Sequence, residues 1–99
     1  MQQFEVSVSD KAASEISLAY WYYDSLQDGL GEQFLTFIDE VFTQIARLPM
    51  ACPVRHLDAR GLFMKRYPYH IYYRTSKKTI RIIAFFHQAG KPVAVMGKA

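Results

Sequence analysis

The hydrophobic positions of this chain change period once, near Pro49, and the change separates predicted helices from predicted strands. At the start, "QFEVSVS" alternates Phe4, Val6 and Val8 with polar neighbours, the signature of a short strand with one face inward. Ser9 or Asp10 can then cap a helix running to about Asp28, with Ala12, Ile16, Ala19, Tyr20 and Tyr23 on its apolar face and Lys11, Ser14, Glu15 and Asp24 elsewhere. "DGLG" supplies the turn. A second helix from about Glu32 places Phe34, Ile38, Val41, Ile45 and Leu48 on one stripe, and Pro49 ends it.

Beyond Pro53 the pattern becomes strand-like. It predicts a first piece at residues 54–57 of undecided type, then strands at 62–67, 70–75 and 79–87, with Pro68 and "SKK" as the breaks. The expected architecture is β-α-α-β-β-β, an α+β layout with two N-terminal helices packed on a twisted, mainly antiparallel sheet. With 99 residues the chain has room for one domain and one modest core, so residues 1–99 are read as a single domain.

The last hairpin permits a register. A two-residue loop at Lys77 and Lys78 sets Arg74 opposite Arg81, then Tyr72 opposite Ile83 and His70 opposite Phe85, all on an open face. Ile71, Tyr73, Ile80, Ile82 and Phe86 would share the face under the helices. Like charges facing across a ladder destabilise it by up to roughly 1 kcal/mol unless an acidic group sits between them. Either an anion binds there, or both guanidiniums splay into water or pair with Glu5, Asp58 or the C-terminus.

In the first helix, "YWYY" at residues 20–23 cannot turn all four rings to one core, because successive residues rotate by about 100°. Tyr20 and Tyr23 are placed inward. Trp21 and Tyr22 either pack on the second helix or form an exposed partner surface.

Composition narrows the classes further. Hydrophobic residues make up 51% and charged residues 21%, which suits a folded globular chain rather than a disordered one. Residues 1–5 lack the basic start and apolar stretch of a signal peptide, and "IIAFF" is far too short to span a bilayer, so a cytoplasmic protein with no membrane role is expected. Cys52 is the only cysteine, which excludes an internal disulfide and a multi-cysteine metal site. The net charge of +3 is compatible with nucleic acid or an acidic protein partner.

These residues together resemble a known family over almost the whole chain: "VSVSDKAASEISLAYWYYDSLQDGLGEQFLTFIDEVFTQIARLP", then "FMKRYPYHIYYR", then "IRIIAFFHQAGKP". The order is similar to that of the RelE/ParE superfamily of bacterial toxins, in the branch called plasmid stabilisation protein. The resemblance implies the toxin component of a type II toxin-antitoxin system, which arrests growth and is neutralised by a cognate antitoxin whose often acidic segment covers its working face.

The superfamily divides in chemistry. RelE-like members are ribosome-dependent endoribonucleases that turn the 2'-hydroxyl of messenger RNA on the neighbouring phosphate, without a metal or other cofactor. For that reaction the resemblance offers His87 and His70 as acid or base. Lys65, Arg66, Arg74 and Arg81 would bind phosphate or antitoxin, with Tyr72 beside them and Lys91 in place of one lost cation. However, Gly61, Phe63, Gly90, Val95 and Met96 stand where nucleases of the family tend to carry basic or aromatic residues. That leans the expectation toward ParE-like members, binding modules that poison DNA gyrase, or toward a toxin of unassigned target. A non-toxic interaction or RNA-binding domain on the same fold is the third reading.

Overall fold

The computed structural model describes residues 4–64 and 66–88. Strand β1 (Glu5–Val8) leads into helices α1 (Asp10–Leu26) and α2 (Leu30–Arg47), and strands β2 (Val54–His56), β3 (Ala59–Phe63), β4 (Tyr69–Ser76) and β5 (Thr79–His87) follow. They form one sheet in the order β1-β5-β4-β3-β2, with β1 parallel to β5 and every other pair antiparallel. Two helices therefore pack on a mixed, mainly antiparallel sheet. The piece at residues 54–57 resolves as β2, and β3 lies earlier than the expected 62–67, because the chain leaves the sheet at Met64 to approach Pro68.

Alternation and helical spacing both act here through burial. Phe34, Ile38, Val41 and Ile45 of α2 enter the core as their spacing predicts, against Tyr69, Ile71, Tyr73, Ile80, Ile82 and Phe85 of the sheet. Leu48 does not: it follows the helix and is 68% exposed. Helix α1 buries Ala12, Glu15 and Ala19, a stripe rotated from the expected one, so Glu15 lies inside rather than on the solvent side. The two buried alanines let the helix approach the sheet closely, while Ile16, Tyr20 and Tyr23 pack at the margin.

Two local devices fix the helices. Ser9 is the α1 N-cap, its Oγ accepting from the Ala12 amide at 3.1 Å. At the hairpin, the Asp24 carboxylate accepts from the Gly29 and Gly31 amides at 3.0 and 3.1 Å, taking two donors that the start of α2 leaves free. Gly29 holds φ 90°, a left-handed conformation that favours glycine.

The β4–β5 register agrees with the expected one only near the turn. Arg74 faces Arg81 across the two-residue loop, but a bulge between Tyr72 and Tyr73 shifts the rest by one. Tyr73 pairs with Ile82 and Tyr72 with Ala84, leaving Ile83 as the extra residue. His70 then faces Phe86 rather than Phe85, and Phe86 belongs to the open face while Phe85 is fully buried. The bulge is supported from the helix side: the Ser9 amide donates to the Ile82 carbonyl at 2.9 Å and Ser9 Oγ to the Ile83 carbonyl at 3.4 Å.

Candidate functional site

The bulge decides what the open face carries. Along β4, alternate residues His70, Tyr72 and Arg74 point away from the helices, each about 6.6 Å from the next. Phe86 and Ala84 of β5 and Gly61 and Phe63 of β3 pair with them. His70 is held between two rings, Phe63 at 5.0 Å and Phe86 at 5.2 Å, and Tyr72 meets Phe86 at 5.4 Å. A cleft of about 280 Å3 opens between Arg55, Phe63, His70 and Tyr72.

Gly61 forms the floor of that cleft. A Cβ there would lie 2.7 Å from Arg55 Cγ and 3.1 Å from Tyr72 Cε1, so the absence of a side chain lets Arg55 and Tyr72 both close over the glycine. Arg55 was not singled out from the sequence, and neither was Phe86 as an open-face ring. The signal for Arg55 lay in the pairing of β2 with β3, which a three-residue strand does not announce.

The paired arginines find partners within the chain. Arg74 Nε donates to Asp58 Oδ1 at 2.6 Å, and the guanidinium holds the Asp58 carboxyl below its usual range. Arg81 Nη1 donates to Ser7 Oγ at 3.2 Å. Asp58 thus neutralises one of the two opposed cations, Arg74, while Arg81 rests on a neutral hydroxyl. Leu57, with φ 53°, sits just before it in the β2–β3 turn.

Other expected site residues are placed apart. His87 pairs with Tyr69 and meets its ring edge-on at 5.4 Å on the core face, whereas His70 is on the open face. Arg66 lies 5.6 Å from the Tyr67 ring and 6.0 Å from Phe37, on the helix side of the sheet. Lys65 and Lys91 lie outside the described residues, as do Gly90, Val95 and Met96. Trp21 is 62% exposed and sits edge-on to Tyr20 at 4.8 Å, and Tyr22 is exposed beside it. Together with Leu35 and Phe42, Trp21 borders an apolar groove between the helices.

Arg60 is a structural cation. Its Nη1 donates to the Cys52 carbonyl at 2.6 Å and the Met50 carbonyl at 3.3 Å, and its cross-strand partner Tyr73 donates its hydroxyl to the Pro49 carbonyl at 2.7 Å. The two side chains tie the α2–β2 connection to the sheet. Burial pushes the Tyr73 hydroxyl well above its ordinary value, with the neighbouring Cys52 thiol adding to the shift. The Tyr69 hydroxyl is also raised, by burial and then by Tyr23, and has no hydrogen-bond partner among the described residues.

Charge is divided along the chain more sharply than the net +3 suggests. Residues 1–47 hold eight of the nine acidic side chains and two of the twelve basic ones, so residues 48–99 hold ten basic side chains against Asp58 alone. The strand-helix-helix half is acidic and the β2–β5 half strongly basic. Among the described residues no group of three His, Cys, Asp or Glu side chains could hold a metal ion, and no helix is long and apolar enough to cross a membrane.

Comparison with known proteins agrees with this architecture. The chain is 28% identical over 75 residues to Toxin ParE2 of Mycobacterium tuberculosis, in strains CDC 1551 / Oshkosh and H37Rv, covering 76% of this chain and 71% of that protein. Its fold is similar to a chain of the chromosomal ParDE TA system from P. aeruginosa, with a TM-score of 0.63 and 20% identity over 86% of this chain and 96% of that one. The family model described as ParE toxin of type II toxin-antitoxin system, parDE, matches residues 6–92, which takes in both helices, the bulged hairpin and the open face. With that span matched, the chain belongs to the ParE toxin family of type II toxin-antitoxin systems.

Proposed function

We propose that this toxin arrests growth by binding a macromolecular target, DNA gyrase, and does not cleave RNA. As a member of a toxin-antitoxin family it has an antitoxin for a partner. The choice between binding and cleavage is carried by one observation: His70 and His87 lie on opposite faces of the sheet. Transesterification at one phosphate needs a base on the attacking hydroxyl and an acid on the leaving oxygen, both within about 3 Å of their protons. Two side chains separated by the sheet cannot meet that requirement at one phosphate. The cations are dispersed as well, since Arg66 faces the helix side and Arg74 is engaged by Asp58.

Induction in growing bacteria tests this reading. Growth should stop, coexpressed antitoxin should restore it, supercoiling should fail and cleaved DNA should accumulate while messages keep their native 5' ends. The His87→Ala toxin should remain toxic. New discrete 5' ends in translated messages, lost in His87→Ala, would reverse the assignment.

A further inference from the structure

We propose that the cleft between Arg55, Phe63, His70 and Tyr72 is a binding site for single-stranded nucleic acid, taking one base among its rings and the adjoining phosphate on Arg55. This stands apart from the identity of the poisoned target, because it concerns a ligand held on the open face whether or not growth arrest depends on it.

Four observations carry the inference. First, the Arg55 guanidinium has no hydrogen-bond or ion-pair partner among the described residues, while those of Arg60, Arg74 and Arg81 are all engaged. A guanidinium left unpaired beside a cleft is available to a phosphate, which it can grip with two parallel N–H donors. Second, the cleft walls are aromatic: Phe63 is 42% exposed and meets His70 at a tilt of 48°, and His70 stacks on Phe86. An exposed ring at the end of such a row offers a face to another flat ring, and stacking of that kind is tolerant of base identity.

Third, the floor is a glycine. The close approach of Arg55 and Tyr72 over Gly61 brings the cation and the rings to one edge of a space of about 280 Å3, which is of the size of a nucleotide rather than of a folded partner. Fourth, the row continues. From His70 through Tyr72 to Arg74 the open face advances about 6.6 Å per side chain. Arg74 and Arg81 face each other at its end, Arg74 on Asp58 and Arg81 on Ser7, so a strand seated in the cleft would run toward two cations whose remaining N–H donors it shares with those partners. Among the described residues of this half of the chain, Arg55, Arg60, Arg66, Arg74, Lys77, Lys78 and Arg81 stand against Asp58 alone, a charge balance that favours a phosphate backbone.

An acidic peptide would also be drawn to this charge, but it has no use for the ring stack. A duplex, with its bases already stacked on each other, could use the cations and not Phe63. A single strand uses both.

Fluorescence anisotropy with the purified full chain and a labelled ten-nucleotide oligothymidylate tests the site. Binding should weaken about tenfold in Arg55→Ala and in Phe63→Ala, while Lys11→Ala, on the acidic half, changes nothing. Arg55→Ala should also lower the slope of log affinity against log salt by about 0.7, the loss of one phosphate contact. Circular dichroism of each variant checks folding, and Phe63→Leu, which keeps apolar bulk but removes the ring, serves should Phe63→Ala unfold. Competition by an oligoribonucleotide separates RNA from DNA as the source of the strand.

Equal affinity for a matched duplex would overturn the proposal, because the rings would then contribute nothing. So would adenosine monophosphate binding as tightly as the ten-mer, which would make this a free-nucleotide site, or an oligoglutamate peptide binding more tightly and losing affinity in Arg55→Ala, which would assign the cleft to an acidic protein. Oligonucleotide binding that Arg55→Ala and the Phe63 variants leave unchanged would place the strand elsewhere.

Discussion

Arg55 lies across Gly61, so close that a Cβ on the glycine would stand 2.7 Å from Arg55 Cγ. Gly61 has no left-handed φ among the positive-φ residues, so its requirement is space and not backbone freedom. Gly61→Ala should therefore cost about 1–3 kcal/mol through overpacking against Arg55 and Tyr72. Arg55 is flexible and can move aside, whereas the Tyr72 ring is pinned by Phe86. In urea titrations Arg55→Ala should recover part of the loss in the double variant, and strictly additive effects would show that the two positions are not coupled.

Ser9 and the bulge make the second prediction. Ser9→Ala removes the N-cap of α1 and the hydroxyl donor to the Ile83 carbonyl together. A lost cap of this type costs about 1 kcal/mol, up to about 2. The bulge carbonyls should also become more dynamic, which hydrogen exchange at Ile83 and Ala84 would register as faster opening. A loss of stability confined to α1, with β5 exchange unchanged, would mean the bulge stands without its helix contact.

How far the sequence reveals this molecule can be judged at the same bulge. Period and spacing are sufficient for β1, both helices, the stripe through Phe34, Ile38, Val41 and Ile45, and the opposition of Arg74 and Arg81, because each depends on residues close in the chain. The bulge is met by Ser9, 74 positions from Ile83, and nothing local to "RIIAFFH" signals it. One extra residue then exchanges Phe85 and Phe86 between the faces, and the ring stack on His70 goes unseen. Likewise Glu15 and the placement of β3 are set by tertiary packing. The candidate site was legible as a row of rings and cations on β4; its neighbours Arg55 and Gly61 come from a separate strand pairing.

Alkaline stability follows from the two buried phenols. Tyr69 and Tyr73 titrate near 10.0 when exposed and well above it in the fold, where burial disfavours the phenolate. The folded state therefore binds these protons more tightly than the unfolded one. Their contribution is complete below pH 10 and is lost as the pH rises toward the folded-state values. Urea midpoints should hold level from pH 8 to about pH 9.5 and then fall. Tyr73→Phe should be about 1–2 kcal/mol less stable at pH 8, because the Pro49 carbonyl loses its donor, yet should fall less steeply above pH 10. A parallel curve would show that Tyr73 takes no part in the alkaline transition.

Were an acidic partner to dock on the open face, the Arg74–Asp58 pair would govern its access to the Arg74 cation. The pair is solvent-exposed, 46% and 78% at the two side chains, so its contribution to folding is small. Its effect on binding is larger, since an incoming carboxylate competes with Asp58 for the Arg74 guanidinium and is repelled by the Asp58 charge beside it. Asp58→Ala should leave the melting temperature nearly unchanged and should bind an acidic antitoxin segment several-fold more tightly, with most of the gain in the association rate at low salt. Arg74→Ala should weaken the same complex and leave the fold intact, and the double variant should resemble Arg74→Ala alone. Calorimetric titration of the antitoxin into the four toxins closes that cycle. If Asp58→Ala weakened the complex as much as Arg74→Ala, the ion pair would be acting as one unit of the contact surface and not as an internal competitor for it.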